Sequence, residues 1–159
     1  MALLRKRGDE PPTPALAPGD ALAKPDKPLL QAYEAFARAT GASLPSANAR
    51  LGEALLSAPA LPPLQGIRVL RAGLQLGALK GKVFQPDHAL ALALGESSGF
   101  PSISISLSEA RAYLRGEVLP CPDEFSGFYL LLYEGLPLGF AKASNGQLKN
   151  HYPKGLRQG

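Results

Sequence analysis

Cysteine, histidine and tryptophan are nearly missing from these 159 residues: there is one Cys (Cys121), two His (His88 and His151) and no Trp. A single thiol excludes an intramolecular disulfide and a thiolate metal centre, and two imidazoles far apart in sequence give zinc little to hold. Neither a metal nor a bound cofactor is therefore expected. No stretch reaches the roughly 18 uninterrupted apolar residues that a membrane span needs, and the basic start Arg5-Lys6-Arg7 runs into Pro and acidic residues instead of an apolar signal segment. The expectation is a cytoplasmic protein with no membrane partner. The most informative absence concerns one sign of charge. Between Gly135 and Gly159 there is no Asp or Glu, while Lys142, Lys149, Lys154 and Arg157 are all present. These four cations account for the net charge of +4, so the surplus sits in one segment and forms the kind of field a polyanion finds.

What is present describes an ordinary folded chain. A hydrophobic fraction of 45% with 19% charged residues rules out a wholly disordered protein, and the length suits one domain with a small satellite. Residues 1–27 are rich in Pro, Ala and Asp and hold no aromatic, so they bury too little to offset ordering and are read as a flexible leader. From Pro28 to Thr40, Leu29, Leu30, Tyr33, Phe36 and Ala37 share a helical face, with Pro at the start and Gly41 at the stop. Residues 50–57 suit a strand or small hairpin before the Pro-rich run at 59–63. Residues 28–64 are accordingly expected to form a small α/β connecting subdomain and 65–159 a separate domain.

Within that second domain, Ile67 to Arg71 alternates apolar with basic residues and predicts a half-buried strand, and Gly73, Gly77 and Gly81 predict tight turns between short extended pieces. Ala89–Leu94 predicts a helix ending at Gly95. A second helix is expected after the capping box of Ser106 and Glu109, with Leu107, Ala110 and Leu114 on one face and Gly116 as the stop. After a loop over 119–126, Phe128–Tyr133 is the strongest strand signal. Glu134-Gly135 predicts a hairpin turn into 136–143, and Asn145-Gly146 predicts another before Leu148, Asn150 and Tyr152 alternate with Lys149 and His151. The fold class this implies is α+β: a small mixed β-barrel with two short helices.

Catalytic candidates are weak. Cys121-Pro122 lies in a Pro-rich loop with no base nearby to form a thiolate, so the ordinary loop cysteine is the better reading. The glycines at 73, 77 and 81 make no G-x-G-x-x-G cradle, and neither histidine has a triad partner; His88 reads as a helix-start or core residue. The basic C-terminal segment does better. Lys142, Lys149, His151, Lys154 and Arg157 are interleaved with Asn145, Gln147, Asn150 and Tyr152, which joins phosphate-neutralising cations to amides and a ring able to contact bases. These nine residues are the candidate RNA site.

The stretches Leu64–Gly77 (LQGIRVLRAGLQLG) and Phe84–Leu94 (FQPDHALALAL) resemble the region that follows the catalytic domain in RsmF-type (Sun-family) RNA cytosine-5 methyltransferases. Glu109–Glu117 (EARAYLRGE), Gly135–Lys142 (GLPLGFAK) and Gly146–Arg157 (GQLKNHYPKGLR) look like the PUA-like RNA-binding module of that family. The resemblance implies a PUA-like pseudo-barrel behind a connecting subdomain, serving to place ribosomal RNA before a separate methyltransferase domain. Lys142 matches the lysine of a Gly-aromatic-small-Lys motif, and Lys149-Asn150, Pro153-Lys154 and Arg157 match the terminal basic motif. Phe140-Ala141 departs from the Trp-Gly expected there and leaves Phe to stack on a base. The family's cofactor loop and its two catalytic cysteines have no counterpart in these residues, which implies a non-catalytic binder of rRNA or tRNA, as a stand-alone module, a split-gene product or an excised domain. The alternative is a subunit docking through the helix Pro28–Thr40 on a methyltransferase domain supplied in trans; an enzyme using Cys121 ranks last.

Overall fold

A computed structural model describes residues 22–60 and 69–159. Helix α1 spans Lys27–Thr40, with Pro28 in its first turn, where its missing N–H costs nothing, and Gly41 ending it in the left-handed conformation at φ 65°. Leu29, Tyr33 and Phe36, spaced i, i+4 and i+7, are its buried stripe, as the apolar spacing predicts. The expected leader lies outside the described residues as far as residue 21. Its last residues are held, because Ala23 exchanges backbone hydrogen bonds with Arg50 at 2.9 and 2.8 Å along an otherwise open strand edge.

Four antiparallel strands follow as a meander in the order β1-β2-β3-β4: β1 (Ala49–Leu51), β2 (Ala54–Ser57), β3 (Leu74–Lys80) and β4 (Val83–Pro86). The strand expected at 67–71 is not formed at Val69–Arg71, where Leu70 is 74% exposed; Ile67 and Arg68 lie outside the described residues. The chain instead turns at Gly73, whose φ of 65° brings the missing Cβ onto the Ser57 carbonyl, and extends only from Leu74. Gly81 makes a turn as expected, but Gly77 sits inside β3. Strands β2 and β3 pair across the expected division at 64/65, so this sheet draws on both sides of it.

Asp87 caps α2 (His88–Ala93) by accepting the Ala89 N–H at 2.8 Å. Strand β5 (Ser102–Ser104) leads into α3 (Leu107–Leu114), which opens with the full capping box: the Ser106 hydroxyl accepts the Glu109 N–H, and the Glu109 carboxylate accepts the Ser106 N–H at 2.8 Å. The inner face of α3 is Ala110 and Tyr113, whereas Leu107 is about half exposed, because the helix meets the sheet with its C-terminal end. The expected loop at 119–126 begins with a short strand, β6 (Leu119–Pro120), recruited by β9 (Gln147–Asn150).

Between them, β7 (Gly127–Tyr133) and β8 (Leu136–Ser144) form the long hairpin. Its turn places Glu134 and Gly135 at φ 50° and 76°; the next turn, at Asn145 and Gly146, has 52° and 71°. These positive pairs suit the twist of tight hairpins. The five-stranded sheet has the order β5-β7-β8-β9-β6, with β5 parallel to β7. Its two faces serve two cores. Leu130, Leu132 and Phe140 pack with α1, α2 and the first sheet; Leu131, Ala141, Ala143 and Leu148 pack with Tyr113, Ile105 and Leu119. Burial on both faces is why β7 reads as an unbroken apolar run and not as an alternation.

Candidate nucleic-acid interface

The register of the β8–β9 hairpin sorts the nine candidate residues. Lys142 lies directly opposite Lys149 and beside Phe128 of β7, and directly opposed residues project to the same side of a sheet. His151 extends that row, its N–H bonding to the Phe140 carbonyl at 3.2 Å. One face therefore presents Lys142, Lys149 and His151 around Phe128. The Lys142 ammonium stands 5.6 Å from the Phe128 ring centroid, and His151 meets the same ring edge-on at 5.1 Å.

The first sheet completes this face with residues that no local sequence pattern singles out. Gln85 on β4 touches His151, Nε2 to Nδ1 at 3.5 Å. Opposite Gln85 stands Ala78, and opposite the neighbouring Val83 stands Lys80, so Lys80 and Gln85 share one side of the β3–β4 hairpin. Burial first, then the charges of Lys142 and Lys80, hold the His151 imidazolium below its ordinary range, so the ring is mainly neutral at pH 7. Nothing in the composition of the β3–β4 hairpin marks Lys80; only the pairing of two distant hairpins brings it to the C-terminal lysines. A cavity of about 320 Å³ opens along this hairpin beside Gln75, Ala78, Lys80 and Gln85, but Asp87 lines it as well and would oppose an anion inside it.

The other candidates point elsewhere. Asn150 spends its side chain on the fold: Nδ2 donates to the Tyr113 and Glu117 carbonyls at 2.8 and 3.0 Å, and Oδ1 accepts the Tyr152 N–H at 2.8 Å, pinning the end of α3 to β9. Tyr152 packs edge-on against His88 and Tyr113 at 5.1 and 5.5 Å. Arg157 folds over Gly116, where a Cβ would lie 2.6 Å from its Nε, and Nη2 reaches the Tyr152 carbonyl at 3.4 Å. Asn145 and Gln147 flank the exposed β8–β9 turn, and Lys154 is exposed at the start of a short 3-10 turn. Phe140 is 2% exposed and packs against Phe100 at 5.3 Å, so it offers no surface to a base. His88 fits the helix-start reading, half-buried at the beginning of α2 with its charged form disfavoured mainly by burial.

Among the described residues the ion pairs are Arg50–Asp26 and Arg115–Glu117, both away from this face. Lys142 and Lys149 thus stand opposite each other with no carboxylate between them, an arrangement that costs stability by itself and that an incoming anion relieves. Cys121 is half-buried, and its N–H bonds to the Gly146 carbonyl at 2.9 Å. No group of three or more metal-ligating side chains occurs among the described residues, and no described helix is long and apolar enough to cross a membrane.

Comparison with known families places this geometry. Residues 35–94 match the RsmF rRNA methyltransferase first C-terminal domain, and residues 100–158 match the methyltransferase RsmF PUA domain. The chain belongs to the RsmF C-terminal domain families. The α+β architecture, a four-stranded and a five-stranded sheet packed with three helices, is accordingly that of a PUA domain preceded by its companion, and the matches divide between 94 and 100, past the first sheet and α2. Among curated relatives, the Ribosomal RNA small subunit methyltransferase F of Erwinia tasmaniensis is 31% identical across 98% of this chain. That of Klebsiella pneumoniae is 30% identical over the same share. The protein of that name from Shewanella baltica is 32% identical over 57% of the chain. This chain spans about a third, 34%, of the length of the first two.

Proposed function

We propose that this chain is an RNA-binding module that seats ribosomal RNA for a methyltransferase domain and performs no catalysis itself. The observation that carries the reading is the Lys142–Lys149 cross-strand pair, with Lys80 beside it and no acidic partner, on the exposed rim of a PUA domain. The rRNA target follows from the name its relatives carry, and the non-catalytic role from the missing cofactor loop and paired cysteines of the resembled family in these 159 residues. The neutral turn residues Asn145 and Gln147 and the exposed Lys154 extend the surface along which a backbone would run, giving an electrostatic, shape-tolerant grip more than base readout.

Fluorescence anisotropy with a labelled small-subunit rRNA fragment, across a salt series, tests this. Log affinity should fall linearly with log salt, and Lys142→Ala with Lys149→Ala should reduce the slope by about 1.4 for single-stranded RNA, about 0.7 for each lost phosphate contact. Thermal stability of the double variant should stay level or rise slightly, since a like-charge pair is removed. Absence of binding at low salt by the folded chain would sink the reading and favour docking on a methyltransferase domain in trans.

A further inference from the structure

An eight-residue pattern, Gly-Leu-x-Leu-Gly-x-x-Lys, occurs twice in the chain: from Gly73 to Lys80 and from Gly135 to Lys142. The structure gives both copies the same place. In each, the pattern enters the middle strand of a three-stranded antiparallel meander, β2-β3-β4 in one and β7-β8-β9 in the other. Each leading glycine turns the chain with positive φ, 65° at Gly73 and 76° at Gly135. Each inner glycine adopts nearly the same rare conformation, φ 154° at Gly77 and 155° at Gly139, which side chains disfavour.

The pairing irregularities coincide as well. Leu55 pairs with Gly77 and Leu56 with Gln75, skipping Leu76; Leu131 pairs with Gly139 and Leu132 with Pro137, skipping Leu138. A bulge is a specific device that re-aims the strand beyond it, so the same bulge opposite the same glycine, three residues before a lysine, sends each lysine out of its hairpin alike. The two lysines, 62 positions apart by subtraction, end beside one imidazole: Lys142 on the row that carries His151, and Lys80 on the side of its hairpin whose Gln85 touches His151.

We propose that the two hairpins are copies of one structural unit and that their equivalent lysines, Lys80 and Lys142, hold a single backbone phosphate of the bound RNA between them, against His151. The proposal rests on the RNA-binding reading above and deepens it: the site belongs to both C-terminal domains together and not to the PUA domain alone. The charged groups facing His151 are Lys142 on β8 and Lys80 on β3, with Lys149 on β9 in the same row; from β4 it meets the neutral Gln85 and from β7 the Phe128 ring. The charges facing the ring are positive; the Asp87 carboxylate, which lines the cavity beside Lys80, accepts a hydrogen bond from the Gln75 amide at 2.9 Å. A phosphate placed among the cations offsets their field and offers the ring an anionic acceptor, so the imidazole takes up a proton as RNA binds and then donates a charge-assisted hydrogen bond.

The test is an NMR titration of both histidine rings in the full chain, free and saturated with the labelled rRNA fragment, run beside the anisotropy assay. His88, packed behind Tyr152, serves as the internal reference. The expected result is a His151 pKa that rises on RNA binding while that of His88 stays put. Affinity should then strengthen as pH falls through the bound value and on past the free one, about tenfold in all if the two lie one pH unit apart. His151→Gln should bind without that pH dependence. In the free protein, Lys80→Gln and Lys142→Gln should each raise the His151 pKa, and each should weaken RNA binding to a similar extent. RNA that binds with strong salt dependence while His151 titrates unchanged would overturn the phosphate site and leave the RNA reading intact. So would a Lys142→Gln effect with none from Lys80→Gln. A folded chain that binds no RNA defeats the reading beneath.

Discussion

Two sides of one short segment, Lys142–Arg157, are put to opposite uses. On one side of the β8–β9 hairpin, Lys142, Lys149 and His151 gather around Phe128 with no carboxylate to neutralise them. At the α3 corner, Asn150, Tyr152 and Arg157 are absorbed into the fold by hydrogen bonds and ring packing. Lys149 and Asn150 are adjacent, yet strand alternation sends one outward and the other into a three-bond clamp. A basic, amide-rich composition therefore does not define a binding surface; the pleat decides which half of it a ligand can meet.

The sharpest way to break the corner is through Gly139. Its φ of 155° suits glycine, and a Cβ there would strike the Tyr113 hydroxyl, which donates to the Phe140 carbonyl at 2.9 Å. Gly139→Ala should cost on the order of 2–6 kcal/mol, adding backbone strain to overpacking, and chemical denaturation should show it as a lower midpoint with the same slope. Asn150→Ala should cost less, about 1–3 kcal/mol, by leaving the Tyr152 N–H without its partner and taking one of two donors from the Tyr113 carbonyl, which keeps the Gly116 N–H at 2.9 Å. At a temperature where that variant is folded, its RNA salt slope should match the parent, in contrast to the lysine variants. A flattened slope would show that the corner also contacts RNA and that the two sides of the hairpin are not divided in their uses.

The features legible in the sequence are those that a few neighbouring residues determine. Helix α1 announces itself through Pro28, Gly41 and the spacing of Leu29, Tyr33 and Phe36; α3 through Ser106 and Glu109; the hairpins through Glu134-Gly135 and Asn145-Gly146. Local sterics and capping suffice for each. The alternation at 67–71 gives no strand at Val69–Arg71, because a period-2 pattern says nothing about whether a partner strand is in reach, and Gly73 carries the chain into β3 only from Leu74. Lys142, Lys149 and His151 are legible as a basic run. Lys80 and Gln85 are not, since their place in the site depends on a hairpin more than 60 positions away folding against them. Phe140 shows the reverse error: an aromatic ring in a motif position reads as a stacking platform until the second core face of β8 claims it.

The smallest effect expected tests the far end of the same helix that Asn150 holds. Ser106→Ala removes the hydroxyl that accepts the Glu109 N–H and donates to its carboxylate at 2.7 Å, and loss of such a cap costs about 1 kcal/mol. The backbone and side-chain hydrogen bonds of Ser106 hold the Glu109 carboxyl below its ordinary value of 4.5. A carboxyl whose folded pKa is depressed stabilises the fold above its unfolded value and loses that contribution as pH falls through the folded one. The gap in melting temperature between parent and Ser106→Ala should therefore be full at neutral pH and narrow in acid, below about pH 4. Because α3 meets the sheet mainly through Tyr113 and Asn150, this fraying should leave RNA binding by Lys142 and Lys149 untouched. Loss of affinity in Ser106→Ala would mean that the cationic face depends on the corner behind it, making the two regions one cooperative unit.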